Sequence, residues 1–243
     1  MLEVINPMLK YPTMGLEQVV QKKAVKITTL SDMLLKYQDD SGMQVLSTAK
    51  METADESKMA EMKRWLISNT ALFQHDQLVG FLSPQEGESY NYFIHGFNHA
   101  DLPIKSPPSC TDGDLTVMLN GEPPEIKVIP TDEGLSLSVK ANLEFELAEN
   151  TCNVKLTEQD IGTLEDCVNK ELSQSLEEII LHTQQEHMDI FDVADSLHAG
   201  HLQLWNEVKE NWQEIYSKMP FEIEVNARYR NSRAMIIDPG YKE

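Results

Sequence analysis

Residues 135–147 read LSLSVKANLEFEL, and this stretch decides the fold. Leu135, Leu137, Val139, Ala141, Leu143, Phe145 and Leu147 alternate with Ser136, Ser138, Lys140, Asn142, Glu144 and Glu146. In a β-strand successive side chains point to opposite faces, so unbroken period two describes one long strand, dry on one face and wet on the other. A strand of that kind belongs to an antiparallel sheet covered on one side only.

The cover has to come from helices. Thr163–Asp166 has the spacing of a capping box, and Leu164, Val168, Leu172, Leu176 and Ile180, joined by Cys167 and Ile179, form a stripe at helical spacing. No Gly or Pro interrupts residues 163–199. A second helix follows Gly200, with Leu202, Trp205, Val208, Trp212, Ile215, Tyr216 and Met219 at steps of three and four, and Pro220 stops it. Phe221, Ile223, Val225, Ala227 and Tyr229 then alternate with polar residues and should rejoin the sheet as a closing strand. Strands, then helices, then a strand give the α+β class: an antiparallel sheet covered on one face by long amphipathic helices.

Upstream, ALFQHDQLVGFLS at residues 71–83 places two apolar runs around His75-Asp76, the pattern of a tight hairpin. Residues 83–87 read as a turn and 90–95 as a short aromatic-rich element. Residues 103–113 read as a Pro/Ser-rich loop, and 114–119 and 126–129 as strands around an Asn120-Gly121 hairpin turn. Residues 1–67 read as a partial, mostly helical region. Leu16, Val19 and Val20 share one face, a helix starts at Thr29 or Ser31, Asp39–Gly42 ends it, 43–46 is a short strand and 52–62 a polar loop or weak helix. The domain division is 1–67, the remainder of an N-terminal or middle domain, and 68–243, a C-terminal α+β domain.

The 243 residues carry 20 Lys and Arg against 40 Asp and Glu, a net charge of −20. That surface repels phosphate backbones, so nucleic acid is not an expected partner. No apolar run reaches the roughly 20 residues of a membrane helix. The first twenty residues lack the basic and apolar regions of a signal peptide and contain no lipobox cysteine. Cys110, Cys152 and Cys167 match no metal or redox spacing; reduced thiols and a Cys110–Cys152 bridge both fit.

Candidate chemistry is sparse. His182, His187, His198 and His201 cluster in sequence, but their spacing fits neither His-Glu-x-x-His nor its inverse, and they read as solvated helix-face residues. Asp189, Asp192 and Asp195 lack the alternate spacing and the Gly of a calcium loop, and read as a solvated acidic edge. Glu177 and Glu178 diverge on a helix. Trp205 and Trp212 lie seven apart on one face, as core packing or as partner anchors. No nucleophile elbow, phosphate loop or dinucleotide fingerprint occurs. The expectation is no catalytic, cofactor-binding or metal residues, no cofactor, and no enzyme.

The ordered set of segments resembles the Ger(x)C spore-germination proteins, the lipoprotein C subunits of nutrient germinant receptors. Residues 71–82 are similar to that family's G-x-A-V-F-x-x-D-K-L-V-G-x-L hairpin, and 27–35 to the segment before it. Residues 189–194 correspond to its D-x-F-G-F-G-like stretch, and Trp205 and Trp212 to the two Trp of the next helix. The two glycines of that stretch fall on Asp192 and Ala194 here, which leaves a continuous helix open as an expectation, and the Pro before the first Trp is replaced by Gln203-Leu204. The resemblance implies a non-enzymatic receptor subunit acting in germination through protein–protein contacts at the outer face of the inner spore membrane. Its implied partners are the integral-membrane A and B subunits, with membrane attachment through a lipid anchor absent from these residues. The chain then corresponds to the larger, C-terminal portion of such a protein. The alternative is an extracytoplasmic module that binds the small nutrient itself.

Overall fold

The computed structural model describes residues 2–4, 30–38, 43–53, 63–98, 100–104, 113–132, 134–151 and 157–230. Cys110, Cys152, the Leu16–Val19–Val20 face and residues 54–62 lie outside them.

The long alternating segment forms β8 (Gly134–Asn150), with Leu135, Leu137, Val139, Ala141, Leu143 and Phe145 buried at every second position. It is the centre of a five-stranded sheet. β6 (Leu115–Gly121) and β7 (Glu125–Thr131) both pair antiparallel with β8, and β5 (Ala100–Ile104) pairs with β6. The closing segment, β9 (Phe221–Tyr229), pairs with β8 residues 137–145. Those residues overlap the partners of both β6 and β7, so β6 and β7 run in succession along the opposite edge of β8. Asn120-Gly121 is therefore not a hairpin turn between paired strands, as the sequence suggests. β6 and β7 meet β8, not each other.

β9 rejoins the sheet, but it runs parallel to β8. Period-two alternation is the same in parallel and antiparallel strands, so the pattern could not reveal direction. The crossover explains it. α3 (Glu158–Gln185) has 28 residues, hence a length of about 42 Å at 1.5 Å per residue. It carries the chain back along the sheet to the end where β8 starts, and Leu137 N–H donates to Pro220 O at 2.8 Å.

α3 starts one and a half turns earlier than Thr163. Thr157 caps it through Asp160 N–H, while the Asp160 carboxylate accepts Thr157 N–H at 2.8 Å. Gly162 hides this start in the sequence, and Thr163 Oγ donates to Gln159 O inside the helix. Leu164, Val168, Leu172, Leu176, Ile179 and Ile180 form the buried stripe on the sheet. Truncating one of them to Ala costs about 2–5 kcal/mol in comparable cores. The second predicted helix is broken into α5 (Leu202–Val208), a 3-10 turn (Lys209–Asn211) and α6 (Trp212–Lys218).

Residues 43–46 and 71–74 are strand as expected, and the described residues between them depart most from the sequence reading. In the described part of 1–67 the only helix is α1 (Leu30–Gln38), and the rest is strand. β2 (Met43–Thr53) pairs with β3 (Lys63–Gln74), and the far edge of β3 takes β1 (Leu2–Val4) and β4 (Gln77–Leu82). Met43, Gln44 and Val45 are buried in succession, so both faces are covered and no alternation marks the strand. β3 runs unbroken through residue 68. The β3–β4 hairpin turns at His75-Asp76, with His75 at φ 54°.

α2 (Pro84–His95) replaces the predicted turn and aromatic element. Ser83 and Glu86 form a reciprocal capping box, and Tyr90, Tyr92 and Phe93 enter the core. The described residues thus form a mixed helix-and-sheet structure of the α+β class.

Candidate functional site

The stretch where a continuous helix was an open expectation is a break between α3 and α4 (Val193–Gly200). His187 takes a left-handed φ of 57°; its N–H donates to Gln184 O at 3.1 Å and Met188 N–H to Thr183 O at 2.7 Å. This is a Schellman ending, normally made with Gly at the left-handed position. Asp192 is also left-handed, at φ 57°. Asp is among the few residues besides glycine that tolerate this conformation.

Asp189, read from sequence as part of a solvated edge, is buried, with 3% of its surface exposed. Its Oδ1 accepts Val193 N–H at 3.0 Å, and its Oδ2 accepts Ala194 N–H at 2.8 Å and the Trp212 indole N–H at 3.0 Å. It therefore caps α4 from outside, because Asp192, at the N-cap position, makes no side-chain cap bond. Burial pushes the Asp189 carboxyl up to about 6 against the pull of the Ala194, Val193 and Trp212 donors, and the Asp192 charge adds to the rise. The three donors favour the ionised form, and burial opposes it.

Asp192 and Asp195 face the other way. Lys36 of α1 donates to Asp192 Oδ1 at 2.5 Å and to Asp195 Oδ2 at 3.2 Å. Burial works against the Lys36 charge, but the two carboxylates outweigh it and hold its pKa above the usual value. Below the break, Gln184 Nε2 donates to Tyr216 O at 3.0 Å and Met219 O at 2.8 Å, and Thr183 and Tyr216 hydroxyls are 2.9 Å apart. One short segment thus ties together α1, α3, α4 and α6.

Several of the other candidates make contacts within the fold. His182 Nδ1 lies 2.5 Å from Glu86 Oε1, joining α3 to the cap of α2. Burial raises the Glu86 carboxyl, but Ser83 and His182 together hold it below its usual value. His198 stacks on Trp205 with ring centres 5.9 Å apart, and Trp205 meets Trp212 edge-on at 5.5 Å. Both Trp are buried, so they pack the core. Tyr37 of α1 meets His75 edge-on at 5.7 Å. Glu177 and Glu178 are exposed, and Cys167 is a half-buried free thiol. No group of three or more metal-ligating side chains converges among the described residues. The sequence reading missed Lys36, Gln184 and Tyr216, whose partners are distant in the chain, and Glu86, which meets His182 96 residues away as well as its neighbour Ser83.

Comparison with known proteins gives this arrangement a family. The family model described as spore germination B3/GerAC-like, C-terminal, matches residues 68–233. The chain belongs to the spore germination B3/GerAC-like family. Spore germination protein B3 of Bacillus subtilis (strain 168) is 22% identical over 161 residues, covering 64% of this chain and 41% of that protein. The crystal structure of the GerBC protein has a TM-score of 0.69 to this fold at 17% identity, covering 93% of this chain and 63% of that one. The chain thus spans less than two thirds of either relative. The GerAC-like family is that of the germinant-receptor C subunit, acts in spore germination and is not known as an enzyme family. Among the described residues no helix is long and apolar enough to cross a membrane.

Proposed function

We propose that this chain is part of a non-catalytic subunit of a spore nutrient germinant receptor, working by protein–protein contact at the outer face of the inner spore membrane. The match of the GerAC-like model to residues 68–233 carries this reading. The Asp189 junction agrees with it: both carboxylate oxygens accept donors from Val193, Ala194 and Trp212, so the group holds elements together. The partners are the two integral-membrane subunits. Attachment comes from a lipid anchor in the whole protein, because a chain of charge −20 is repelled by an anionic bilayer. Purification of the full-length gene product from spore membranes tests the proposal. Co-elution with multi-span membrane proteins supports it, and elution alone under the same mild detergent counts against it.

A second reading, direct binding of the nutrient, draws on one feature. A cleft at the junction is lined by His187, Asp189, Trp205, Lys209, Trp212 and Glu214, which bring both charge signs and two indole rings together. Thermal melting with candidate amino acids and sugars separates the two readings, since a ligand of the folded state raises the midpoint with concentration.

A further inference from the structure

Sheet edges present unpaired N–H and C=O groups, and natural proteins blunt them with charge, Pro, short length or side-chain cover. Among the described residues every edge strand but one is short, contains charge or Pro, or is covered by side chains. β9 is closed by α3: Ala227 N–H donates to Asn169 Oδ1 at 2.7 Å and Tyr229 N–H to Glu165 Oε1 at 2.9 Å. β5 is five residues long and contains Asp101 and Pro103. β7 contains Glu125, Lys127 and Pro130, β2 contains Lys50 and Glu52, and β1 has three residues including Glu3. β4, Gln77–Leu82, has neither charge nor Pro.

One edge of β4 pairs with β3, and no other strand among the described residues pairs with it. A single bulge leaves Val79 without a counterpart on β3. Leu78, Val79 and Phe81 are 50%, 41% and 50% exposed, and a Cβ at Gly80 would meet nothing within 4 Å. The charges next to the strand in sequence have one sign: no Lys or Arg occurs between Arg64 and Lys105, whereas exposed Asp76 precedes the strand and exposed Glu88 follows it.

We propose that β4 is a docking edge that accepts an extended segment of a partner protein, with alternating apolar residues and flanking Lys or Arg. Main-chain pairing supplies affinity, the exposed Leu78 and Phe81 side chains receive the apolar positions, and the acidic flanks select a cationic partner. A second copy of this chain fits less well, since it brings the same acids and a charge of −20. The inference rests on the receptor reading only in taking the partner to be a protein.

Hydrogen exchange on the full chain, titrated with the peptide Lys-Lys-Val-Thr-Val-Thr-Val-Lys-Lys, is the test. We expect amide exchange over residues 77–82 to slow by about threefold or more at a peptide concentration of about twice its Kd. The slowing should fade with salt and vanish in Phe81→Lys and Val79→Lys, both at exposed positions and checked for folding by near-ultraviolet circular dichroism. Unchanged exchange, equal slowing by a Glu-flanked peptide, or self-association through β4 that these variants abolish would each overturn the proposal. The titration contains no spore component, so its failure and the failure of the receptor reading are separate results.

Discussion

The Asp189 carboxylate accepts the Trp212 indole N–H at 3.0 Å in the protein interior, linking the end of α3 to α6 while it caps α4. Asp189→Ala leaves the Val193, Ala194 and Trp212 N–H groups buried without an acceptor. We predict a loss of about 3 kcal/mol or more in urea unfolding. Trp212→Phe keeps an aromatic ring but removes one donor and part of the indole volume, and its cost should be about 2 kcal/mol.

The same carboxylate makes stability depend on pH. Its folded-state pKa of about 6 lies above the ordinary 3.8, so the folded protein holds a proton that the unfolded chain releases between those values. Its contribution is fully present below pH 3.8 and is lost as pH rises through about 6. Asp189→Asn does not titrate. Between pH 4 and 7 the parent should lose up to about 3 kcal/mol relative to that variant. Chemical denaturation of the pair at several pH values checks this, and a difference independent of pH contradicts it.

Gly96 ends α2 at φ 70° and ψ −170°, a region restricted almost to glycine. A Cβ there would lie 2.4 Å from Gly121 O, and that carbonyl already accepts Phe97 N–H at 2.8 Å. Backbone fills the space on this side, so nothing flexible can yield. Gly96→Ala should cost about 3 kcal/mol or more and lower the thermal midpoint by well over 5 °C, at roughly 2–4 °C per kcal/mol for a chain of this size.

Lys36 holds α1 against the α3–α4 break through groups that are 27–43% exposed. Solvent screens such pairs, so Lys36→Ala should lower global stability by less than about 1 kcal/mol. Local exchange should respond more. Amides of 30–38 should exchange faster in the variant, and also in the parent at about 1 M salt, where the screening length falls to about 3 Å.

Legibility in the sequence followed the reach of each pattern. The β8 alternation, the β3–β4 hairpin and the α3 stripe are local periodicities, and each appears over the residues that carry its period, although α3 begins before Thr163 and ends at Gln185. Only 43–46 of β2 (Met43–Thr53) reads as strand in the sequence, and with Met43, Gln44 and Val45 all buried no alternation there marks its length or its partner. The start of α2 was written in Ser83-Pro84-Gln85-Glu86, a capping box with Pro at the first position, whose Pro and Gly also spell a turn. The candidate site was the least legible part. The spacing of Asp189, Asp192 and Asp195 cannot tell a solvated edge from a buried cap and a lysine clasp. The distinction lies in Trp212 and Lys36, 23 and 156 residues from their partners.

Loss of nutrient-triggered germination is the most direct test of the central claim. Spores lacking the full-length gene should keep their refractility when given the nutrient mixture to which their parent responds. They should still germinate under a trigger that bypasses receptors, and the restored gene should recover the response. Deletion spores that germinate like the parent across amino acids and sugars, with no second copy of the gene present, would contradict the account.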